Sequence, residues 1–133
     1  MKKLLMFTPQ EGLPRLTTFL KSLDPKLRAK LESLFLMLAV TPAGLLHEPY
    51  VKHFTIEKYS ELYELRAKSK ILVRIIFTVR PDGAVLFLAP FIKSHQRNTM
   101  QALDASLKML SQLDDGSGST QELTINTLTE VRK

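Results

Sequence analysis

Apolar and polar positions change their spacing several times along this chain, and each change marks an element. Lys3–Thr8 is a short apolar run closed by Pro9, Gly12 and Pro14, which predicts a first strand and then a break. Within LPRLTTFLKSL (13–23), Leu16, Phe19, Leu20 and Leu23 fall on one helical face and predict a first helix. Asp24 before Pro25 reads as an N-cap followed by proline in the first turn. PKLRAKLESLFLMLAV (25–40) then repeats Leu27, Leu31, Leu34 and Leu38 at helical spacing, with Lys26, Arg28, Lys30 and Glu32 mostly outside. The two helices should form a hairpin through Ser22–Pro25, and Thr41–Gly44 should end the second.

A two-residue period then takes over. VKHFTI (51–56) reads as a short strand, followed by strands at Leu62–Arg66, Lys70–Val79 and Ala84–Lys93. The turn Arg80–Gly83, with its Pro-Asp-Gly, joins the last two as a hairpin and makes the group a meander. Helical spacing returns at Thr99–Leu113, with Leu103, Leu107 and Leu110 inward. Asp115–Ser119 reads as a flexible linker. The remaining tail is threonine-rich and alternates through Leu123, Ile125 and Leu128; disorder is the first reading of it and an added edge strand the second. The predicted fold class is α+β: a curved antiparallel sheet built from the N-terminal strand plus a three- or four-strand meander, with an N-terminal helical hairpin and a C-terminal helix. The helices are expected on one face, leaving the other open. Residues 1–113 form the expected domain, with 114–133 as linker and tail.

Composition narrows the class. At 133 residues, with 44% apolar and 24% charged residues, the chain suits one globular domain. It has no cysteine, which excludes disulfides and thiolate metal sites and makes a reducing cytoplasm the expected location. The opening MKKLLMFTPQEG is too short in its apolar run for a secretory leader, and no stretch is long enough to span a bilayer. The formal net charge of +6 reads either as the mark of an anionic partner, whether nucleic acid, an acidic protein or an anionic membrane surface, or as that of a merely soluble basic protein, and charge alone does not choose between them.

Arg74 stands in the middle of the apolar run ILVRIIF (71–77), where a charged group is costly unless paired. Alternation puts Val73, Ile75 and Phe77 on one face and Leu72, Arg74 and Ile76 on the other; on the strand before, Glu64 and Arg66 oppose Tyr63 and Leu65. Arg66 and Arg74 are therefore expected on one face, and FIKSHQR (91–97) adds Lys93, His95 and Arg97 at a strand exit. Such a cluster suits a phosphate backbone, with Lys52, Lys68 and Lys70 as further phosphate contacts. The alternative for Arg74 is a structural ion pair with Glu64. His47 and His53 lack a third ligand for a metal. Asp82, Asp104, Asp114 and Asp115 are scattered over turns, a helix and a linker, so neither a metal site nor a cofactor is expected. Tyr50 and Tyr59 either stack on bases or cover the edge of the core.

The segments LTTFLKSLDPKLRAKLESLFLML (16–38) and ELYELRAKSKILVRIIFTVRPDGAVLFLAPFIKSHQRNT (61–99) resemble toxins of the RelE/ParE superfamily, nearest its phage-derived, HigB-like branch, over residues 15–112. The resemblance implies the toxin of a type II toxin–antitoxin pair: a metal-independent endoribonuclease that cuts mRNA on the ribosome and is held inactive by an antitoxin, expected to be a helix-turn-helix protein. It implies that Arg66 binds phosphate, Arg74 stabilises the transition state, Lys93 is a second cation there and His95 the general acid, with Glu64 a weaker candidate base. The chain departs from the family's run after the last strand, with Ser94 in place of a lysine and Arg97 in place of another. Two other functions compete: a ParE-like inhibitor of a topoisomerase without chemistry of its own, and a non-catalytic nucleic-acid-binding module.

Overall fold

A computed structural model describes residues 1–124. Its strands are β1 (Leu4–Pro9), β2 (Val51–His53), β3 (Tyr63–Lys68), β4 (Leu72–Val79), β5 (Val85–Ile92) and β6 (Gly118–Glu122), and its helices α1 (Arg15–Lys21), α2 (Pro25–Val40) and α3 (Gln96–Asp114). The six strands form one open, curved, mostly antiparallel sheet in the order β2-β3-β4-β5-β1-β6. The α+β fold with a helical hairpin and a C-terminal helix is as expected and is consistent with a RelE-like architecture.

Local chemistry explains the boundaries. Asp24 Oδ1 accepts the Leu27 N–H at 2.9 Å, satisfying one of the free donors at the start of α2, while Pro25 needs no acceptor there. The β4–β5 hairpin closes through Gly83, whose φ of +90° favours a residue without a Cβ, and Asp82 Oδ1 accepts the Ala84 N–H at 2.9 Å.

Three features depart from the expectation. First, both faces of the sheet are covered. Leu16, Leu20, Leu27, Leu31, Phe35 and Leu38 of α1 and α2 pack on Leu65, Val73, Ile75, Phe77 and Phe87. On the opposite face Ala102, Leu103 and Met109 of α3 join Phe54, Tyr59 and Leu62 over Ile76, Leu86, Leu88 and Ala89. The strands are apolar on both sides, a composition that two covering layers satisfy better than one. Second, β1 pairs with β5 in parallel, Leu4 opposite Val85 and Met6 opposite Phe87, because α1 and α2 carry the chain across the sheet before the meander begins. Third, the linker and the start of the tail are ordered. Asp115 Oδ1 accepts both the N–H and the hydroxyl of Ser117, Gly116 turns at φ +80°, and Gly118–Glu122 runs antiparallel to β1 as β6. Strand β6 takes in Gly118 and Ser119, which read as linker, and Thr120–Glu122 from the start of the tail; Ile125 and Leu128 lie outside the described residues.

Candidate nucleic-acid interface

A register shift in β5 builds the site. Ile75 faces Pro90 and Phe77 faces Phe87, so Leu88 and Ala89 together oppose Ile76 as a β-bulge. The extra residue reverses the alternation: Phe87 points to the α1–α2 side, whereas Phe91, four residues on, packs on the α3 side. Phe91 is thereby the cross-strand partner of Arg74, and Arg74 is the partner of Arg66. Lys68 pairs with Leu72, Lys52 with Glu64, and the Lys93 N–H donates to the Leu72 carbonyl at 2.9 Å. Alternation sets Lys52, Arg66, Lys68, Arg74 and Lys93 on one face at one end of the sheet.

Glu64 organises the centre. Its carboxylate is 1% exposed. Oε1 accepts Arg66 Nε at 2.9 Å and lies 3.6 Å from Arg74 Nε. The ion-pair alternative for Arg74 is therefore present in the structure, and Arg66 shares the same oxygen. Arg66 also reaches Glu48 Oε1 at 3.2 Å, and Arg74 donates to the Val73 carbonyl at 3.1 Å. The arginine side chains are 23% and 12% exposed; Arg66 Nε is hydrogen-bonded from beneath, whereas Arg74 Nε faces the same oxygen at ion-pair distance without a hydrogen bond. Burial lowers the Arg74 pKa below its ordinary value; Glu64 opposes this and the Arg66 charge adds to it. Like-charged guanidiniums on adjacent strands repel, and the shared carboxylate offsets that repulsion.

Arg66 and Arg74 open into a cavity of about 230 Å³ that Lys30, Tyr50, Lys68 and Leu72 also line. Lys30 crosses from α2, its ammonium donating to the Lys68 carbonyl at 2.6 Å. Its pattern on α2 reads only as an outward lysine, and nothing local signals this position. Glu48 is likewise invisible in the sequence, because its pairing with Arg66 spans eighteen residues. Tyr50 is half exposed at the rim, its carbonyl accepting the Arg66 N–H at 2.8 Å. Tyr59 is instead buried, its hydroxyl donating to Asp104 Oδ1 at 2.6 Å.

The other expected residues divide. His95 precedes α3, where Asn98 Oδ1 accepts its N–H at 3.0 Å. Arg97 Nε lies 3.4 Å from His95 Nε2, so the two exposed side chains sit side by side at the start of α3. Lys70 is exposed in the β3–β4 turn, and Lys52 lies 5.4 Å from the centre of the Phe54 ring. His53 stacks on Tyr63 at 4.3 Å and shares a hydrogen bond with the Ser60 carbonyl, while His47 bonds the Glu48 carbonyl. Among the described residues no three His, Asp or Glu side chains gather as metal ligands, and no helix is long and apolar enough to cross a membrane.

The phage-derived Gp49-like family model matches residues 18–111, which hold the end of α1, all of α2, the meander and most of α3. The chain belongs to the phage-derived Gp49-like family. That family is associated with RelE/ParE-like toxins of toxin–antitoxin systems, and membership is compatible with such a toxin and suggests an antitoxin partner. The match contains Glu64, Arg66, Arg74, Lys93 and His95. No curated protein matches this Gp49-like chain.

Proposed function

We propose that this Gp49-like protein is the toxin of a type II toxin–antitoxin pair, of HigB-like type, and that it cleaves mRNA on the ribosome without a metal. The observation that carries the reading is the pair Arg66–Arg74, fixed side by side by the buried Glu64 and opening into a cationic cleft. In the reaction the ribose 2′-oxygen attacks the adjacent phosphorus, the bond to the 5′-oxygen breaks, and a cyclic phosphate and a 5′-hydroxyl result. Negative charge grows on the phosphorane oxygens. Two guanidiniums already oriented by Glu64 meet it without reorganising, which is how preorganised charge lowers a barrier. Arg74 is assigned to the phosphorane, Arg66 and Lys93 to its oxygens, and Lys30, Lys52, Lys68, Lys70 and Arg97 to the flanking backbone. His95 is assigned as the general acid that protonates the leaving oxygen, with Arg97 beside it. Glu64 is a poor base, since its near oxygen is committed to both arginines. The antitoxin is expected to cover the cationic face with acidic or apolar segments.

One observation favours the ParE-like reading: an arginine whose charge is already met by a buried carboxylate has a structural account without catalysis. The test is growth and primer extension of cellular mRNA after inducing the wild type and, separately, Arg74→Ala. In-frame cuts that the variant loses by roughly a hundredfold support the nuclease. Growth arrest with DNA damage and no RNA cuts supports the topoisomerase inhibitor.

A further inference from the structure

Beside the arginine cleft lies a second cavity of about 280 Å³, lined by Arg15, Phe91, Asn98, Gln101, Ala102 and Ala105. Phe91 connects the two, since it is the cross-strand partner of Arg74 and also a wall of this cavity. We propose that the cavity is a base-recognition subsite for a guanine next to the scissile phosphate, an inference that rests on the nuclease reading above.

The wall chemistry is one-sided. The Arg15 side chain makes no ion pair or hydrogen bond among the described residues, leaving its five donors free at the mouth. Asn98 is oriented from behind: its Oδ1 accepts the N–H groups of Ser94 and His95 and the Ser94 hydroxyl at 2.9–3.0 Å. The carboxamide is thereby fixed, and its NH₂ has no acceptor among the described residues. Gln101 stands exposed one helical turn on, on the same side of α3. Ala102 and Ala105 keep the helix wall shallow where larger side chains would fill the space. A volume of about 280 Å³ is ample for one base. Phe91 offers an aromatic ring for stacking, the usual platform for an unpaired RNA base. A guanine presents O6 and N7 as two adjacent acceptors, the pattern that an arginine fork meets. An adenine would turn its amino donor on the same guanidinium.

The experiment records amide spectra of the full chain titrated with GMP, AMP, CMP, UMP and inorganic phosphate. GMP is expected to shift the Gln101 and Ala105 signals at the lowest concentration. Arg15→Ala should weaken GMP binding on the order of tenfold or more, and Arg15→Lys, which keeps the charge but not the fork, should not restore it. Equal shifts from all four nucleotides, or from phosphate alone, would overturn the proposal. So would rescue by Arg15→Lys. Cut sites mapped in cells should show guanine enriched at one fixed offset, and Arg15→Ala should level that enrichment; an unchanged preference also overturns it. If GMP binds selectively while the wild type cuts no RNA, the nuclease reading falls and the nucleotide subsite stands.

Discussion

Replacing Glu64 with glutamine keeps the shape of the side chain and removes one charge. The structure says what that charge does. Two guanidiniums on neighbouring strands share Oε1, one at 2.9 Å and one at 3.6 Å, and the carboxylate is 1% exposed. Without it, Arg66 keeps only Glu48 at the rim, and the largely buried Arg74 keeps a backbone carbonyl. Breaking a buried pair by removing one partner costs about 3–5 kcal/mol. The partial exposure of both arginines puts this case near the lower end, at roughly 3 kcal/mol. Removing Arg74 instead, as Arg74→Met, leaves Glu64 bonded to Arg66 and should cost only about 1 kcal/mol. The asymmetry is the test. Urea unfolding followed by circular dichroism should show Glu64→Gln lowering the midpoint by about 1–3 M at an unchanged slope, given an ordinary m-value of about 1–3 kcal/mol per M. Arg74→Met should move it by about a third as much. The double variant should recover part of the loss, because the buried charge that lacked a partner is gone. Equal costs for the two single variants, or a Glu64→Gln variant within about 0.5 kcal/mol of wild type, would refute the view that Glu64 organises the pair.

Three further outcomes follow from the same structure. Asp104 is held below its ordinary pKa first by the Tyr59 hydroxyl and then by Lys58, so its stabilisation is present above about pH 4 and is lost as pH falls through the lowered value; thermal melts across that range should flatten in Asp104→Asn. Asp24→Ala removes the cap of α2 and should cost about 1 kcal/mol in the same urea assay, whereas Asp24→Asn should restore most of it. A Cβ on Gly118 would meet Phe7 at 2.6 Å, so Gly118→Ala should loosen β6 from β1, seen as faster amide exchange at Thr120 and Glu122 with β4 and β5 unchanged.

How much of this was legible in the sequence depends on the distance over which each feature is decided. The boundaries of α2 coincide with Pro25–Val40 because Asp24, Pro25 and Thr41–Pro42 are local signals. The shared face of Arg66 and Arg74 was legible too, since two adjacent strands joined by a short turn leave little freedom in register. The parallel seat of β1 against β5 was not, because pairing across some eighty residues leaves no mark in either strand's alternation. The bulge at Leu88–Ala89 was hidden for a related reason: VLFLAPFI is apolar throughout, so a shift of phase changes nothing visible. That apolar run also conceals which side each residue faces, and with it the covering of both faces of the sheet. Lys30 and Glu48 entered the site from a helix and a loop that only tertiary packing brings near.

The bulge bears most directly on function. With uninterrupted alternation Phe91 would point with Phe87 toward α1 and α2, and Arg74 would have no aromatic neighbour on β5. With the bulge, one strand supplies a core residue on one side and, four residues later, a ring beside the arginine pair on the other. The same half-turn sends Lys93 to the cationic face and brings the chain into α3 above it. A design that removed the bulge, by deleting Ala89, would keep the hairpin and its turn but exchange the faces of Pro90 through Lys93. It should therefore take Phe91 and Lys93 off the cationic face while Glu64, Arg66 and Arg74 remain in register. Bulges recur beside functional sites because they re-aim side chains in this way. Here the re-aimed residues are the ring and the lysine that flank the Glu64–Arg66–Arg74 cluster.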